Sequence, residues 1–180
     1  MTDTNPSPEK LVKQAAAAYK ANDYAIAAIL YENASQIYTD AGDSLMAAEM
    51  DNNLSVTLLK MKNAEGALGA AAGTDILFKQ AGDINRQAIA IANQSAAKEA
   101  LGQLDEALEG YQIASDLLNQ AGERQMRSYV LQSISALQLR TGKQLQAMAT
   151  MDAALDNKSK LSLKERLLRK LLNTQKRMMK

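Results

Sequence analysis

The sequence contains no cysteine and no histidine, and only 4% of its residues are aromatic. Without cysteine, the chain forms no disulfide and offers neither a thiolate nucleophile nor a thiolate metal ligand. Without histidine, it also lacks the commonest general base and the commonest metal ligand of proteins. We therefore expect no catalytic residue, no metal site and no cofactor, and a protein that is not an enzyme.

Prolines and long apolar runs are scarce as well. No stretch approaches the roughly 20 apolar residues that span a bilayer, and the two prolines, Pro6 and Pro8, both lie in a polar N-terminal lead. We predict that residues 1–8 are disordered and that the protein is soluble and cytoplasmic. The composition is 47% hydrophobic and rich in Ala, Leu, Gln and Lys, which favours helix over sheet.

Charge is unevenly distributed, although the net charge of the 180 residues is only +1. Residues 158–180 contain nine Lys or Arg and a single acid, Glu165, for a net charge of +8. Residues 1–157 contain twelve Lys or Arg and nineteen Asp or Glu, for a net charge of −7. An acidic body is thus followed by a basic C-terminal segment.

A tripeptide of Ala, Gly and an acidic residue recurs every 40 residues, at 41–43, 81–83 and 121–123. A glycine after a helical run supplies the left-handed end of a helix, and the acid behind it caps the next helix. Small residues keep the same interval, and we interpret them as sites where two helices approach closely. They are Ala15, Ser55, Ser95 and Ser135 in one series and Ala27, Ala67, Ala107 and Ala147 in another. Helix breakers are predicted at Asn22, Asn63, Gly102 and Gly142.

Between these marks the apolar residues follow helical spacing. The pattern predicts helices near residues 9–21, 24–40, 44–62, 64–80, 84–101, 104–120, 124–141, 144–156 and 161–178. They amount to four helical hairpins within residues 9–157 and a final helix within residues 158–180. A repeat of this length is typical of α-solenoids.

In its register of small, breaker and aromatic positions, the repeat resembles the tetratricopeptide repeat (TPR). The match covers roughly residues 9–157, and in the third unit it falls on Ser95, Gly102, Leu104, Ala107, Tyr111 and Ala114. The usual tetratricopeptide unit has about 34 residues, so the interval of 40 is similar to the long-repeat branch of the family. The resemblance implies an all-α, right-handed α-solenoid of four TPR-like hairpins plus a C-terminal capping helix.

The resemblance also implies a binding groove, because the first helix of each hairpin lines the concave side of such a solenoid. Members of the family hold a peptide or a partner helix there. The positions that match the family's groove residues are Glu49, Asn52, Asn53, Val56, Lys60, Asn93, Tyr129, Gln132 and Arg140. An asparagine in the groove would fix a peptide backbone, since its amide both donates and accepts hydrogen bonds. The alternative is that these asparagines face water or bond a neighbouring helix.

Three glycines at helical spacing, Gly66, Gly69 and Gly73, lie in the predicted helix 64–80. Each lowers helix stability by roughly 0.8–1.0 kcal/mol relative to alanine. Close packing against another helix is our explanation for them, and a flexible or self-associating surface is the alternative.

The predicted C-terminal helix is amphipathic, with its apolar residues on one face and most of its basic residues on the other. The apolar residues are Leu161, Leu163, Leu167, Leu168, Leu171, Leu172, Met178 and Met179. We interpret this helix as a cap over the last hairpin. Binding to an anionic membrane, to nucleic acid or to an acidic protein is the alternative.

The sequence therefore predicts a protein-interaction adaptor or scaffold whose partner is another protein or a peptide. A self-associating repeat protein, in which a homodimer fills the groove, is the second interpretation. Nucleic acid is not expected as a partner, because the array is acidic and poor in aromatic residues. Attachment to an anionic membrane through the basic helix is the third interpretation, although a membrane is not expected as a partner.

Overall fold

The computed structural model describes residues 7–178, with side chains up to residue 175. Within that range the chain forms ten α-helices and no strand, which confirms the all-α fold class. The helices are α1 (Pro8–Lys20), α2 (Tyr24–Asp40), α3 (Ser44–Lys60), α4 (Ala64–Ala71), α5 (Thr74–Gln80), α6 (Ile84–Ala100), α7 (Leu104–Gln120), α8 (Arg124–Arg140), α9 (Gln144–Asp156) and α10 (Leu163–Met178). The predicted disordered lead falls outside the described residues except for Ser7 and Pro8, and α1 already begins at Pro8.

The recurring Ala-Gly-acid tripeptide ends one helix and starts the next, as the junction of α2 and α3 illustrates. Gly42 is left-handed, with a φ of 79°, which brings the backbone N–H of Asp43 to 2.8 Å from the carbonyl of Tyr38. The Asp43 carboxylate then accepts a hydrogen bond from the N–H of Met46 at 3.0 Å. Because both signals are local, the observed helix ends lie close to the predicted ones.

The repeating small residues are buried in the core. Each is at most 2% exposed: Ala15, Ala27, Ser55, Ala67, Ser95, Ala107, Ser135 and Ala147. In the last hairpin the Oγ of Ser135 on α8 donates to the carbonyl of Ala147 on α9 at 2.8 Å. A larger side chain at either position would separate the two helices, so close approach explains the small residues there.

The predicted helix 64–80 is in fact two helices, α4 and α5, separated at Gly73. Gly73 has a φ of 76° and turns the chain out of the first helix. The break frees the carbonyl of Ala71, which accepts hydrogen bonds from Thr74 Oγ1 at 2.8 Å and from Gln94 Nε2 at 2.9 Å. The break therefore leaves no unsatisfied acceptor at Ala71, because its carbonyl has two hydrogen-bond donors.

Close helix packing is the wrong explanation for the glycines of this segment. A Cβ added at Gly69 or Gly73 would have nothing within 4 Å. At Gly66 it would lie 2.6 Å from the side-chain amide of Asn63, which caps α4 by accepting from the Gly66 N–H at 3.0 Å. The predicted breaker at Asn63 is also wrong by one residue, because Lys62 adopts the left-handed conformation, with a φ of 61°.

The described chain forms two compact units, one ending at Ala107 and the other beginning at Leu108. In the first unit α1 packs on α2, α2 on α3, and α3 on both α4 and α6. In the second unit α9 packs on α8 and on α10. Apart from α3 and α6, the helices of each of these pairs follow one another along the chain.

Helix α10 begins at Leu163 because Ser162 caps it. The Oγ of Ser162 accepts from the N–H of Glu165 at 3.3 Å, and the Glu165 carboxylate accepts from the N–H of Ser162 at 2.8 Å. The ammonium of Lys158 also donates to this carboxylate, and that bond, followed by the bonds with Ser162, lowers the pKa of Glu165 to about 2. The predicted start at residue 161 is two residues early, and the Ser-x-x-Glu spacing is the signal that gives the correct one.

The apolar face of α10 is only partly buried. Leu172 is 5% exposed and Leu168 is half-buried, and both line an open cleft of about 410 Å³ with Met148 and Met151 of α9. Three other leucines of the helix remain exposed: Leu163, Leu167 and Leu171. Helix α10 therefore covers the last hairpin with only part of its apolar surface; the side chains of Met178 and Met179 lie outside the described part.

Candidate functional site

Five of the predicted groove residues lie on a single stripe of α3. They are Glu49, Asn52, Asn53, Val56 and Lys60, and at 100° per residue they fall within about 100° of one another around the helix axis. The stripe borders α6, which packs on α3 and carries Asn93. We call this surface the α3–α6 face. The structure thus brings together six of the nine predicted residues.

Two side-chain contacts join the helices of this face. Asn93 Nδ2 donates to Asn52 Oδ1 at 3.2 Å, and Arg86 Nη1 donates to Glu49 Oε2 at 3.0 Å. The second contact is partly exposed, and ion pairs of that kind add at most ~1 kcal/mol of stability. The main effect of the two contacts is to hold α3 and α6 in one register along the face.

Arg86 is held in place from three directions, although the sequence pattern did not single it out. Its Nε donates to Asp83 at 2.6 Å, and its guanidinium lies 5.1 Å from the ring centroid of Phe78, in addition to its bond to Glu49. The backbone N–H of Arg86 and then its side chain lower the pKa of Asp83, so this carboxylate stays ionised. A rigid cation therefore lies at the edge of the α3–α6 face.

The asparagines of the face differ in what their amides are free to bind. Asn52 is 6% exposed, and its amide donates to the carbonyl of Ala48 at 3.1 Å while accepting from Asn93. Asn53 is half-buried, and among the described residues its side chain makes no hydrogen bond. Asn52 therefore joins the helices, whereas Asn53 offers both a donor and an acceptor to a ligand.

The face continues along α3 with one apolar and one charged group. Val56 is half-buried and Lys60 is exposed at the last turn of the helix. Together with Asn53 they form a row of one polar, one apolar and one cationic side chain over two turns of α3. Such a row can hydrogen-bond, pack against and ion-pair with a bound chain.

The remaining three predicted residues form a corresponding stripe on α8 in the second unit. Tyr129 is 53% exposed, with the Lys158 ammonium 5.7 Å from its ring centroid. Gln132 Nε2 donates to the carbonyl of Ser128 at 3.2 Å, and Arg140 is exposed at the end of the helix. All three residues belong to the second unit.

A half-buried acid on the α2 side of α3 was not predicted as a site residue. The carboxylate of Asp51 accepts from Ser35 Oγ at 2.6 Å and helps to line a cavity of about 280 Å³ in the first unit. Burial raises the pKa of Asp51, and the bond from Ser35 only partly opposes that effect. The signal for it in the sequence is an acid at a repeat position that is apolar in the other hairpins, as at Leu11 and Leu131.

No protein-family model matches the chain, and no curated protein matches it significantly. Among residues 7–178 no group of His, Cys, Asp or Glu is arranged to hold a metal ion. In the same part of the chain, no helix has both the length and the apolar character needed to cross a membrane. The fold and the two polar faces thus define an all-helical protein with a preorganised surface on α3 and α6.

Proposed function

We propose that this protein is an interaction adaptor that binds a peptide or a partner helix on the α3–α6 face. The observation that carries the proposal is the gathering of Glu49, Asn52 and Asn93 at the junction of α3 and α6, beside an open row on α3. Fixed contacts below the row reduce the ordering cost of binding. In this proposal the hairpins are TPR-like units of a right-handed solenoid, and the face belongs to its concave side.

The open row on α3 suggests how a partner is held. The amide of Asn53 bonds main-chain groups of the partner, which any sequence offers. Val56 supplies an apolar contact, and Lys60 attracts an acidic group near the C-terminal end of α3. The adaptor carries out no reaction of its own in this proposal, and its location is cytoplasmic.

The test uses a peptide selected from a random display library against the intact chain. Calorimetry then compares the affinity of the wild type with that of Asn53→Ala, which removes up to two hydrogen bonds and weakens binding roughly tenfold. Asn33→Ala is the matched control, because Asn33 is exposed on α2, away from the face.

A loss of affinity in Asn53→Ala that Asn33→Ala does not show supports the proposal. If Asn53→Ala and Asn33→Ala both bind the selected peptide as tightly as the wild type, the α3–α6 face is not the binding surface. The far-UV circular dichroism of both variants should equal that of the wild type, since neither side chain makes a hydrogen bond within the described chain.

A further inference from the structure

Helix α10 exposes a row of leucines that begins on the side away from α9 and ends at Leu171, on the rim of the cleft between the two helices. Leu163, Leu167 and Leu171 are 83%, 61% and 57% exposed. At a spacing of four residues they follow one another within about 80° around the axis and over about 12 Å along it. We call this row the leucine ridge. Leu172, which anchors the helix, lies about 140° around the axis from Leu167. Leu163 and Leu167 can therefore be covered without displacing α10, whereas Leu171 borders the cleft beside α9.

Cations line both edges of the leucine ridge. Lys164 lies on one edge and Arg166 and Lys170 lie on the other, and all three side chains are exposed. Among the described residues none of the three forms an ion pair. The nearest acids are already engaged, because Glu165 bonds Lys158 and Asp156 bonds Arg169. The surroundings of the ridge are therefore cationic on both sides.

This combination of shape and charge selects one kind of occupant. A second copy would bring its own cationic edges against these, and the like charges would repel. A folded protein would need an apolar groove with acids along both rims. An anionic membrane offers an apolar layer beneath a plane of negative headgroups, which a protruding apolar row between two lines of cations fits directly.

We propose that α10 binds the surface of an anionic membrane as an interfacial helix. Leu163, Leu167 and Leu171 enter the boundary of the acyl chains, and the flanking cations reach the headgroups, as long basic side chains do at such interfaces. The helix lies in the plane of the surface and keeps its contacts with α9. This surface is separate from the α3–α6 face, so the inference does not rest on the proposed adaptor function.

The first measurement exploits the absence of tryptophan from the chain. Leu163→Trp places a single fluorophore on the ridge of the full-length protein, and Leu145→Trp places one on α9, where Leu145 is 66% exposed outside the ridge. Mixed phosphatidylcholine–phosphatidylserine vesicles should shift the emission of Leu163→Trp to shorter wavelength and leave that of Leu145→Trp unchanged. Pure phosphatidylcholine vesicles should shift neither.

The second measurement is sedimentation with the same vesicles. Each surface cation contributes roughly a fivefold gain in partitioning onto an anionic leaflet, so the three together contribute roughly a hundredfold. Replacing Lys164, Arg166 and Lys170 by glutamine should remove that gain. The matched control replaces three exposed lysines of α1, Lys10, Lys13 and Lys20, and should bind like the wild type.

Circular dichroism verifies that each variant keeps its helix content, and added salt should release the bound wild type. Three results would overturn the proposal. One is equal binding to neutral and anionic vesicles, or binding to neither. Another is an emission shift of Leu163→Trp that follows protein concentration, which makes the ridge an interface between copies. The third is a shift with polyglutamate but none with anionic vesicles, which makes the ridge a site for acidic polypeptides.

Discussion

Asp51 is the residue whose chemistry departs most from its position in the repeat. The corresponding residues of the first and fourth hairpins, Leu11 and Leu131, are buried in the core. At Asp51 the same position holds a carboxylate that has one hydrogen-bond donor, Ser35, and loses much of its hydration. The ionised form of Asp51 is therefore less stable in the folded chain than in the unfolded chain.

This difference predicts a pH dependence of stability. Because the pKa of Asp51 is raised from 3.8 in the folded state, the folded chain binds the proton more tightly, and this residue's contribution to stability falls as pH rises from 3.8 through the raised value. Asp51→Asn should abolish that decline and be more stable than the wild type at neutral pH. The free energy of unfolding in urea, measured from pH 3 to pH 7, checks it.

Asp116→Asn is the control for this experiment, since Asp116 is exposed on α7. Its pH profile should run parallel to that of the wild type. A profile for Asp51→Asn that is also parallel to the wild type would mean that Asp51 does not titrate abnormally in the folded chain.

The site residues could be predicted in position but not in role. Helical spacing alone places Asn52 and Asn53 on the stripe of α3. Which of the two is buried depends on where Asn93 of α6 lies, and that is a contact between residues 41 positions apart. The roles of Arg86 and Asp51 depend on tertiary contacts in the same way, with Glu49 and Ser35 respectively.

At the scale of the helices, the break between α4 and α5 predicts that two glycine substitutions change stability in opposite directions. Gly69 is exposed within α4 and has free space around its Cβ position, so Gly69→Ala should stabilise the protein by roughly 0.5–1 kcal/mol through better helix propensity. Gly73 also has free space but a φ of 76°, so Gly73→Ala should destabilise by roughly 1–2 kcal/mol. Urea unfolding of both variants against the wild type measures the difference.

The pair tests the conformation of the segment directly. If helix 64–80 were continuous in solution, both glycines would be helical and both substitutions would stabilise the protein. A stabilised Gly73→Ala variant would therefore contradict the break at this residue.

Most helix bounds could be predicted from the sequence, but the break between α4 and α5 could not. Caps such as Asp43 and left-handed residues such as Gly42 act within one loop, so the pattern contains them. The break between α4 and α5 needs Gln94, 23 residues beyond the carbonyl that it satisfies. For α10, the apolar pattern gave amphipathicity, but only the position of α9 decides that Leu172 is buried and Leu163 is exposed.

At the scale of the whole molecule, the two units differ in sign of charge. The sequence up to Ala107 contains eight Lys or Arg and fourteen Asp or Glu, a net charge of −6. From Leu108 onward it contains thirteen Lys or Arg and six Asp or Glu, a net charge of +7. The near-neutral total of +1 therefore hides two regions that attract different partners.

We expect the purified protein to remain a monomer of 19.5 kDa over a wide concentration range at physiological ionic strength. The apolar row most available for pairing, the leucine ridge, is flanked by cations that repel a second copy. Light scattering coupled to size-exclusion chromatography measures the mass. A mass that doubles with concentration would favour the self-associating repeat protein over the adaptor.

The cleft beneath α10 predicts that the attachment of this helix is sensitive to oxidation. Met148 and Met151 line the cleft together with Leu168 and Leu172. Oxidation turns an apolar thioether into a polar sulfoxide, and an open cleft admits the peroxide that does so. An oxidised chain would hold α10 less tightly while the caps within its other helices stay intact, and enzymatic reduction of the sulfoxides would restore the contact. We therefore expect the attachment of α10 to weaken when Met148 and Met151 are oxidised.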